Sequence, residues 1–316
     1  MCRFGAVLRM LAALTFLSSL FAVSPISARS RQEASPLSLA SLRSRAESGD
    51  ADAQYRLAVV LFKNHNSADY PSMVAWTRAS ASQQYAAAQF LLGYFYENGL
   101  GLRRDYRLAV ENYRAAALQG YSPAKNNLGN LYSNGHGVAK NLAIACQWYL
   151  SAAQQGNSVA QGNLGHAYFL GRGVDRDYVQ AVKWFRAAAE VGDRRAEHAL
   201  GFLYFKGLGV PVDYAEAARW EMLSAEQGEP EAEADLGWLY ETGKGVAFDY
   251  VAAYAWYSRA AAGGNKDGAE RRKSLARLLT PRQIHAANAH SGSGATQTSA
   301  QSSSPTINGF SYAQNY

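Results

Sequence analysis

The chain is 316 residues long, 48% hydrophobic and 18% charged, with a formal net charge of +6. That length holds two ordinary domains or one extended array, and the apolar content is too high for a chain disordered throughout. Its two cysteines, Cys2 and Cys146, exclude a disulfide framework and a four-cysteine zinc site.

The N-terminus reads as an export signal. Arg3 and Arg9 are followed through residues 10–23 by an apolar run, and Pro25-Ile26-Ser27-Ala28 offers a small residue for cleavage after Ala28. The run is short of the roughly 20 apolar residues that span a bilayer. Residues 1–28 are therefore expected to be a signal peptide, with the mature chain starting at Arg29, periplasmic or secreted, without stable membrane insertion after cleavage. Cys2 precedes the apolar run and is not placed to become a lipoprotein cysteine. Cleavage removes Arg3 and Arg9 and no acids, lowering the formal charge from +6 to +4. The basic clusters Arg103-Arg104, Arg194-Arg195 and Arg271-Arg272-Lys273 are separated by acids, unlike a continuous nucleic-acid stripe, so no nucleic-acid partner is expected.

Downstream, one period of 36 residues dominates. It spaces Gly93, Gly129, Gly165, Gly201 and Gly237, each directly after a leucine. The same step separates Gly120, Gly156, Gly192, Gly228 and Gly264; Tyr96, Tyr132, Tyr168, Tyr204 and Tyr240; and Trp148, Trp184, Trp220 and Trp256. Each unit reads as two helices. In the unit at 121–156, Ser122 is a candidate cap with Pro123 at the first helical position. Ala124, Leu128, Leu131 and Tyr132 share one apolar face. Gly129 lies mid-helix, which implies a close helix–helix approach, and Gly135-His136-Gly137 ends the helix. Asp69, Asp105, Asn141, Asp177, Asp213 and Asp249 are candidate caps of the second helices, and Asp213 with Glu216 forms a capping box. Ala145, Trp148, Tyr149 and Ala152 form the expected buried stripe, with the Tyr and Trp ladders in the core.

The pattern A-x-x-x-LG-x-x-Y-x-x-G-x-GV-x-x-DY-x-x-A-x-x-W closely resembles the Sel1-like repeat. It stands nearly whole in Ala160, Leu164-Gly165, Tyr168, Gly171-Arg172-Gly173-Val174, Asp177-Tyr178, Ala181 and Trp184. The resemblance implies an all-α fold, a right-handed α-solenoid of antiparallel helix pairs of the Sel1-like, TPR-like type. Six units are expected over 50–264: a degenerate one at 50–84, then 85–120, 121–156, 157–192, 193–228 and 229–264. The degenerate unit has Ala58 for the glycine and Asn64-His65-Asn66 for the Gly-x-Gly turn. Residues 29–49 supply a linker and a capping helix at 37–48. Residues 265–290 supply C-terminal capping helices, the second opened by the box Thr280-Pro281-Arg282-Gln283. The Ser/Gly/Gln/Thr-rich stretch 291–316 is expected to be a disordered tail.

Motifs for chemistry are absent: there is no P-loop, dinucleotide fingerprint, nucleophile elbow or paired zinc-ligand motif. The six histidines are scattered, and His166 and His198 have no second ligand nearby in sequence. No cofactor, metal or catalytic residue is expected, and the chain reads as a non-enzyme. Cys146 is expected to be a buried, inert thiol. Cysteine-rich secreted members of the family hold each unit with a disulfide, and some have been linked to β-lactam binding or hydrolysis; this chain lacks those cysteine pairs.

What remains is surface. First helices of stacked units are expected to line a concave groove. Three ladders face it: Phe90, Asn126, Gly162, His198, Ala234; Tyr94, Asn130, His166, Phe202, Trp238; and Glu97, Ser133, Phe169, Phe205, Glu241. Aromatics at such positions are enriched at binding hot spots, and Asn126, Asn130 and His166 are candidates to hydrogen-bond a peptide backbone or sugar hydroxyls. The expected groove thus comprises Phe90, Tyr94, Asn126, Asn130, His166, Phe169, His198, Phe202, Phe205 and Trp238.

The family resemblance implies a scaffold or regulator with a protein partner. An exported single-array member is also similar in architecture to periplasmic negative regulators of exopolysaccharide synthesis, which restrain a sensor kinase. A sensor-kinase ectodomain or an envelope complex is the partner this implies. The alternative is a cell-wall- or glycan-binding protein, with hydrolytic activity as an extension of that reading, which calls for carboxylate pairs in the groove, whereas Glu97 and Glu241 lie four units apart. The capped ends point to a monomer. His166 and His198, with unperturbed imidazoles, would gain charge below about pH 6.5 and make partner binding acid-sensitive.

Overall fold

A computed structural model describes residues 38–64 and 66–298 of the chain. Among them every regular element is helical. A lone helix, α1 (Leu39–Glu47), precedes the first pair, α2 (Ala51–Lys63) and α3 (Tyr70–Ser82), joined through a 3₁₀ turn at Ser67–Asp69. Five further pairs follow: α4 (Ala86–Asn98) with α5 (Tyr106–Leu118), α6 (Ser122–Asn134) with α7 (Leu142–Ala153), α8 (Ser158–Leu170) with α9 (Tyr178–Ala189), α10 (Arg194–Lys206) with α11 (Tyr214–Glu226), and α12 (Pro230–Thr242) with α13 (Tyr250–Ala262). The last elements are α14 (Lys266–Leu275) and α15 (Pro281–Thr298). From α1 to α14 each helix packs on its neighbours in the chain, the contact pattern of an α-solenoid, and α15 folds back onto α13. The signal-peptide region and residues 299–316 of the expected tail lie outside the described residues.

Local sequence sets the helix ends. Asp105, Asn141, Asp177, Asp213 and Asp249 each accept backbone N–H bonds in the first turn of their second helix. First helices from α4 to α12 end on a left-handed glycine, Gly99, Gly135, Gly171, Gly207 or Gly243. Three capping expectations need correction. Asp69 makes no side-chain cap, because it sits in the 3₁₀ turn with helical φ and ψ. Ser122 lies inside α6 with its hydroxyl buried and unpartnered; Tyr121 occupies the cap position, where the equivalent Asn157 and Asp193 do accept first-turn bonds. Glu216 completes no box with Asp213, since its carboxylate is held by Arg219 at 3.0 Å. At Thr280 both arms of the box form, Gln283 Oε1 accepting from the Thr280 N–H at 2.9 Å and Thr280 Oγ1 from the Gln283 N–H at 3.3 Å.

The mid-helix glycines do admit a close neighbour. A Cβ on Gly129 would lie 2.6 Å from Cε1 of Tyr149, and one on Gly165 2.7 Å from Cδ1 of Phe185. The ring that fills this space belongs to a further ladder, Tyr113, Tyr149, Phe185 and, two steps of 36 residues on, Tyr257, all buried. The Tyr and Trp ladders, expected in the core, are mostly half-buried at the seams between units. Trp220 alone of the Trp ladder is fully buried, while Trp148 packs against the cluster of the preceding unit. Tyr96 and Tyr132 accept hydrogen bonds from Arg78 (3.2 Å) and Arg114 (2.9 Å) of the preceding second helix, which holds their hydroxyls toward solvent.

Both ends are covered. Leu42 and Ala46 of α1 bury against Ala53 and Leu57, and Leu275 and Ala287 close the cluster around Tyr257. The last helix continues to Thr298 rather than ending near His290, so residues 291–298 are helical, not part of a disordered tail.

Candidate functional site

The first helices lie side by side, and their faces carry the residues of the three ladders. Over α8, α10 and α12 the aromatics meet edge to face: Phe169 and Phe202 at 6.0 Å between centroids, Phe205 and Trp238 at 5.2 Å. Two lysines lie over these rings. Lys206 Nζ is 5.2 Å from the Phe205 centroid, and Lys244 Nζ is 4.9 Å from Trp238 and 5.0 Å from Tyr214. Between α10, α11 and α12 opens a cavity of about 340 Å³, walled by Phe202, Phe205, Trp238 and Lys206.

Its floor is Glu221. In this unit a carboxylate stands where Tyr113, Tyr149, Phe185 and Tyr257 place rings, and it is only 2% exposed. Glu221 Oε2 lies 2.9 Å from Nδ1 of His198, and Asp235 Oδ2 lies 4.0 Å from the same nitrogen. Burial opposes charge on the His198 ring, but the Glu221 carboxylate, backed by Asp235 and Glu229, outweighs it and raises the imidazole to about 9. Burial in turn pushes Glu221 up to about 7, against the pull of His198. The sequence reading that left the histidines without ligand partners is thereby revised: the fold gives His198 two carboxylates, from the next two helices, 23 and 37 residues further along the chain.

Toward the N-terminus the same face is polar. Asn163 donates to Asn126 Oδ1 at 2.9 Å, Asn126 to Asn127 at 3.2 Å, and Asn127 to the Tyr113 hydroxyl at 3.2 Å. Tyr149 donates to Asn130 Oδ1 at 2.8 Å. A second cavity of about 450 Å³ lies here, bordered by Asn130, Asn163, His166, Lys140 and Arg172. Asn126 is buried, so its amide serves this internal chain instead of facing a ligand. His166 stacks edge-on against Phe185 at 4.8 Å; burial, with Arg195, His198 and Arg172 nearby, lowers it to about 4. Neither histidine therefore changes charge near pH 6.5, and the expected mild-acid response of the pair is corrected: one ring is held charged by carboxylates, the other neutral by burial.

The ten groove residues thus divide. Phe169, His198, Phe202, Phe205 and Trp238 gather over α8 to α12. Asn130 and His166 border the second cavity, and Asn126 lies buried in the amide chain beside it. Phe90 and Tyr94 pack toward the cluster around Tyr113, Phe90 lying 5.5 Å from Tyr113 and 5.3 Å from Tyr121. Glu97 and Glu241 accept from the Tyr113 and Tyr257 hydroxyls, each at 2.6 Å, and so serve the core rings. Sequence reading missed Glu221, Asp235 and Lys244; the legible signal was Glu221, the one acidic residue in a ladder of rings. Cys146 is buried, donates to the Arg172 carbonyl at 3.2 Å, and burial raises its thiol, as expected of an inert cysteine.

Among known proteins, the family model described as Sel1 repeat matches residues 51–64, 86–121, 122–157, 158–193, 194–229 and 230–265. No curated protein matches the chain. A solved structure of a protective antigen present in uropathogenic Escherichia coli strains, displaying an SLR fold, superposes with a TM-score of 0.72 at 35% identity, over 83% of this chain and 57% of that one. The chain thus spans little more than half of that relative. A Sel1 repeat protein from Oxalobacter formigenes gives a TM-score of 0.62 at 34% identity, over 67% of this chain and 86% of that one.

Proposed function

From the premise that the chain belongs to the Sel1 repeat family, whose members bind protein partners, we propose that it is a non-enzymatic adaptor that holds a segment of another protein along its first-helix face. The observation that carries this reading is the gathering of Phe169, Phe202, Phe205 and Trp238 beside a cavity of about 340 Å³. Half-buried rings in such a pocket supply apolar area at small entropic cost, the make-up of a binding hot spot. Lys206 and Lys244 over the rings favour a segment carrying acidic residues beside its apolar anchors.

The setting belongs to the same proposal. The apolar run at 10–23 and Ala28 support export, to the periplasm or beyond the cell, where an adaptor of this kind would act on a signalling or exopolysaccharide system through a sensor-kinase ectodomain or an envelope complex. Among the described residues no helix is long and apolar enough to cross a membrane.

The test is cross-linking in the protein's own cells, wild type against a Phe202→Asp/Trp238→Asp double variant with unchanged helical content. Loss of one specific protein partner in the variant is the expected result. Survival of that partner would move the binding surface off this face, and capture of glycan alone would replace the adaptor with the glycan-binding reading.

A further inference from the structure

Glu221 carries more than a pairing role. Four of the six units bury a ring at this place; the first unit has Thr77 there, and the fifth has a carboxylate only 2% exposed. An ion pair with His198 uses only one of its oxygens. Among the described residues no donor reaches Glu221 Oε1, and that side chain forms the floor of the cavity. Asp235 stands beside it and, among the described residues, has no hydrogen bond and no ion pair other than the 4.0 Å approach to His198 Nδ1. Three donor atoms, one imidazole nitrogen and two carboxylate oxygens, thus lie within 4.8 Å of one another, each from a different helix.

We propose that His198, Glu221 and Asp235 form a binding site for a divalent first-row transition cation of the zinc type, open toward the aromatic cavity, the cation displacing to solvent the proton that His198 Nδ1 otherwise shares with Glu221. Four-coordinate zinc with bonds of about 2.0–2.1 Å holds its ligand atoms about 3.3 Å apart. The separations of 2.9 and 4.0 Å bracket that value, and the longer one involves Asp235, whose side chain is 54% exposed and free to swing inward. A nitrogen donor selects against calcium and magnesium, which take oxygen ligands. The backbone positions of α10, α11 and α12 are set by core packing and owe nothing to the ion, so the site is preorganised. Three protein ligands leave a coordination position facing the cavity, with room for water or for a donor from a bound segment.

The experiment is calorimetric titration of the full, untagged, chelator-treated chain with Zn²⁺, Mn²⁺ and Ca²⁺, with a thermal melt in parallel. One Zn²⁺ per chain is expected, with a melting temperature that rises with Zn²⁺ concentration and Ca²⁺ binding far weaker. Asp235→Asn, on an exposed side chain, and Glu221→Phe, which copies the ring of Phe185 one unit earlier, should each weaken Zn²⁺ binding by at least about tenfold while keeping full helical content. Absence of stoichiometric binding, Ca²⁺ binding as tight as Zn²⁺, or undiminished binding in either variant would overturn the proposal.

Discussion

Gln84 is the one non-glycine residue with positive φ among the described residues, at 61°. It stands one period before Gly120, in the ladder whose glycines turn the chain into the next unit at φ of 78° to 92°. A left-handed conformation costs a side-chain-bearing residue about 1–2 kcal/mol, part of which a glycine gives back as unfolded-state entropy. Gln84→Gly should therefore stabilise the chain by about 0.5–1 kcal/mol, read as a higher urea midpoint at unchanged slope. His166 makes the complementary case for charge. Burial lowers it from 6.5 to about 4, so the unfolded chain binds its proton first as the pH falls. The stability its neutral ring allows is complete above pH 6.5 and is lost between there and about pH 4, up to about 3 kcal/mol. His166→Asn, which copies Asn130 one unit earlier, should flatten the acid arm of the stability profile over that interval. Equal acid sensitivity in the variant would show that His166 is not the residue responsible.

At the scale of the helix, two glycines three residues apart on α8 make opposite demands. A Cβ on Gly165 would sit 2.7 Å from Phe185, whereas one on Gly162 meets nothing within 4 Å. Alanine raises helix propensity by about 1 kcal/mol at either place, but overpacking costs about 1–3 kcal/mol at the first. Gly162→Ala should raise the melting temperature and Gly165→Ala should lower it, a contrast that propensity alone does not produce. The same helices show what the sequence could and could not disclose. Period, helix pairs and most second-helix caps were legible because each is written in residues adjacent along the chain, Asp177 before Tyr178 being one example. Depth was not. Repetition marked Trp184 and Tyr204 as constant, yet a seam residue repeats as faithfully as a core one, and only the packing of α9 against α8 shows that Phe185 is the buried ring. The cluster of His198, Glu221 and Asp235 was hidden for a related reason: it depends on how three helices are rotated about their axes, which a period does not encode.

The whole array holds together through its nearest-neighbour seams, since each unit buries its faces only on the units beside it. One seam is set by the second glycine of each Gly-x-Gly turn. A Cβ on Gly173, in the turn after α8, would lie 2.3 Å from the carbonyl oxygen of Leu142 at the start of α7, one unit earlier. That contact is with backbone, which has no rotamer to yield. Gly156 has nearly the same φ, 81° against 80°, but nothing within 4 Å of its Cβ position. Valine at either site bears the same left-handed strain, so the difference between Gly173→Val and Gly156→Val isolates the seam. Gly173→Val is expected to uncouple the units up to α7 from those beginning at α8, turning one denaturant transition into two, with protection from hydrogen exchange lost first near Leu142 and Tyr178. Gly156→Val should lower stability while keeping a single transition. One transition of unchanged slope in both variants would mean that the units are coupled instead through the first-helix face, where Asn163 reaches back to Asn126 and Phe202 to Phe169.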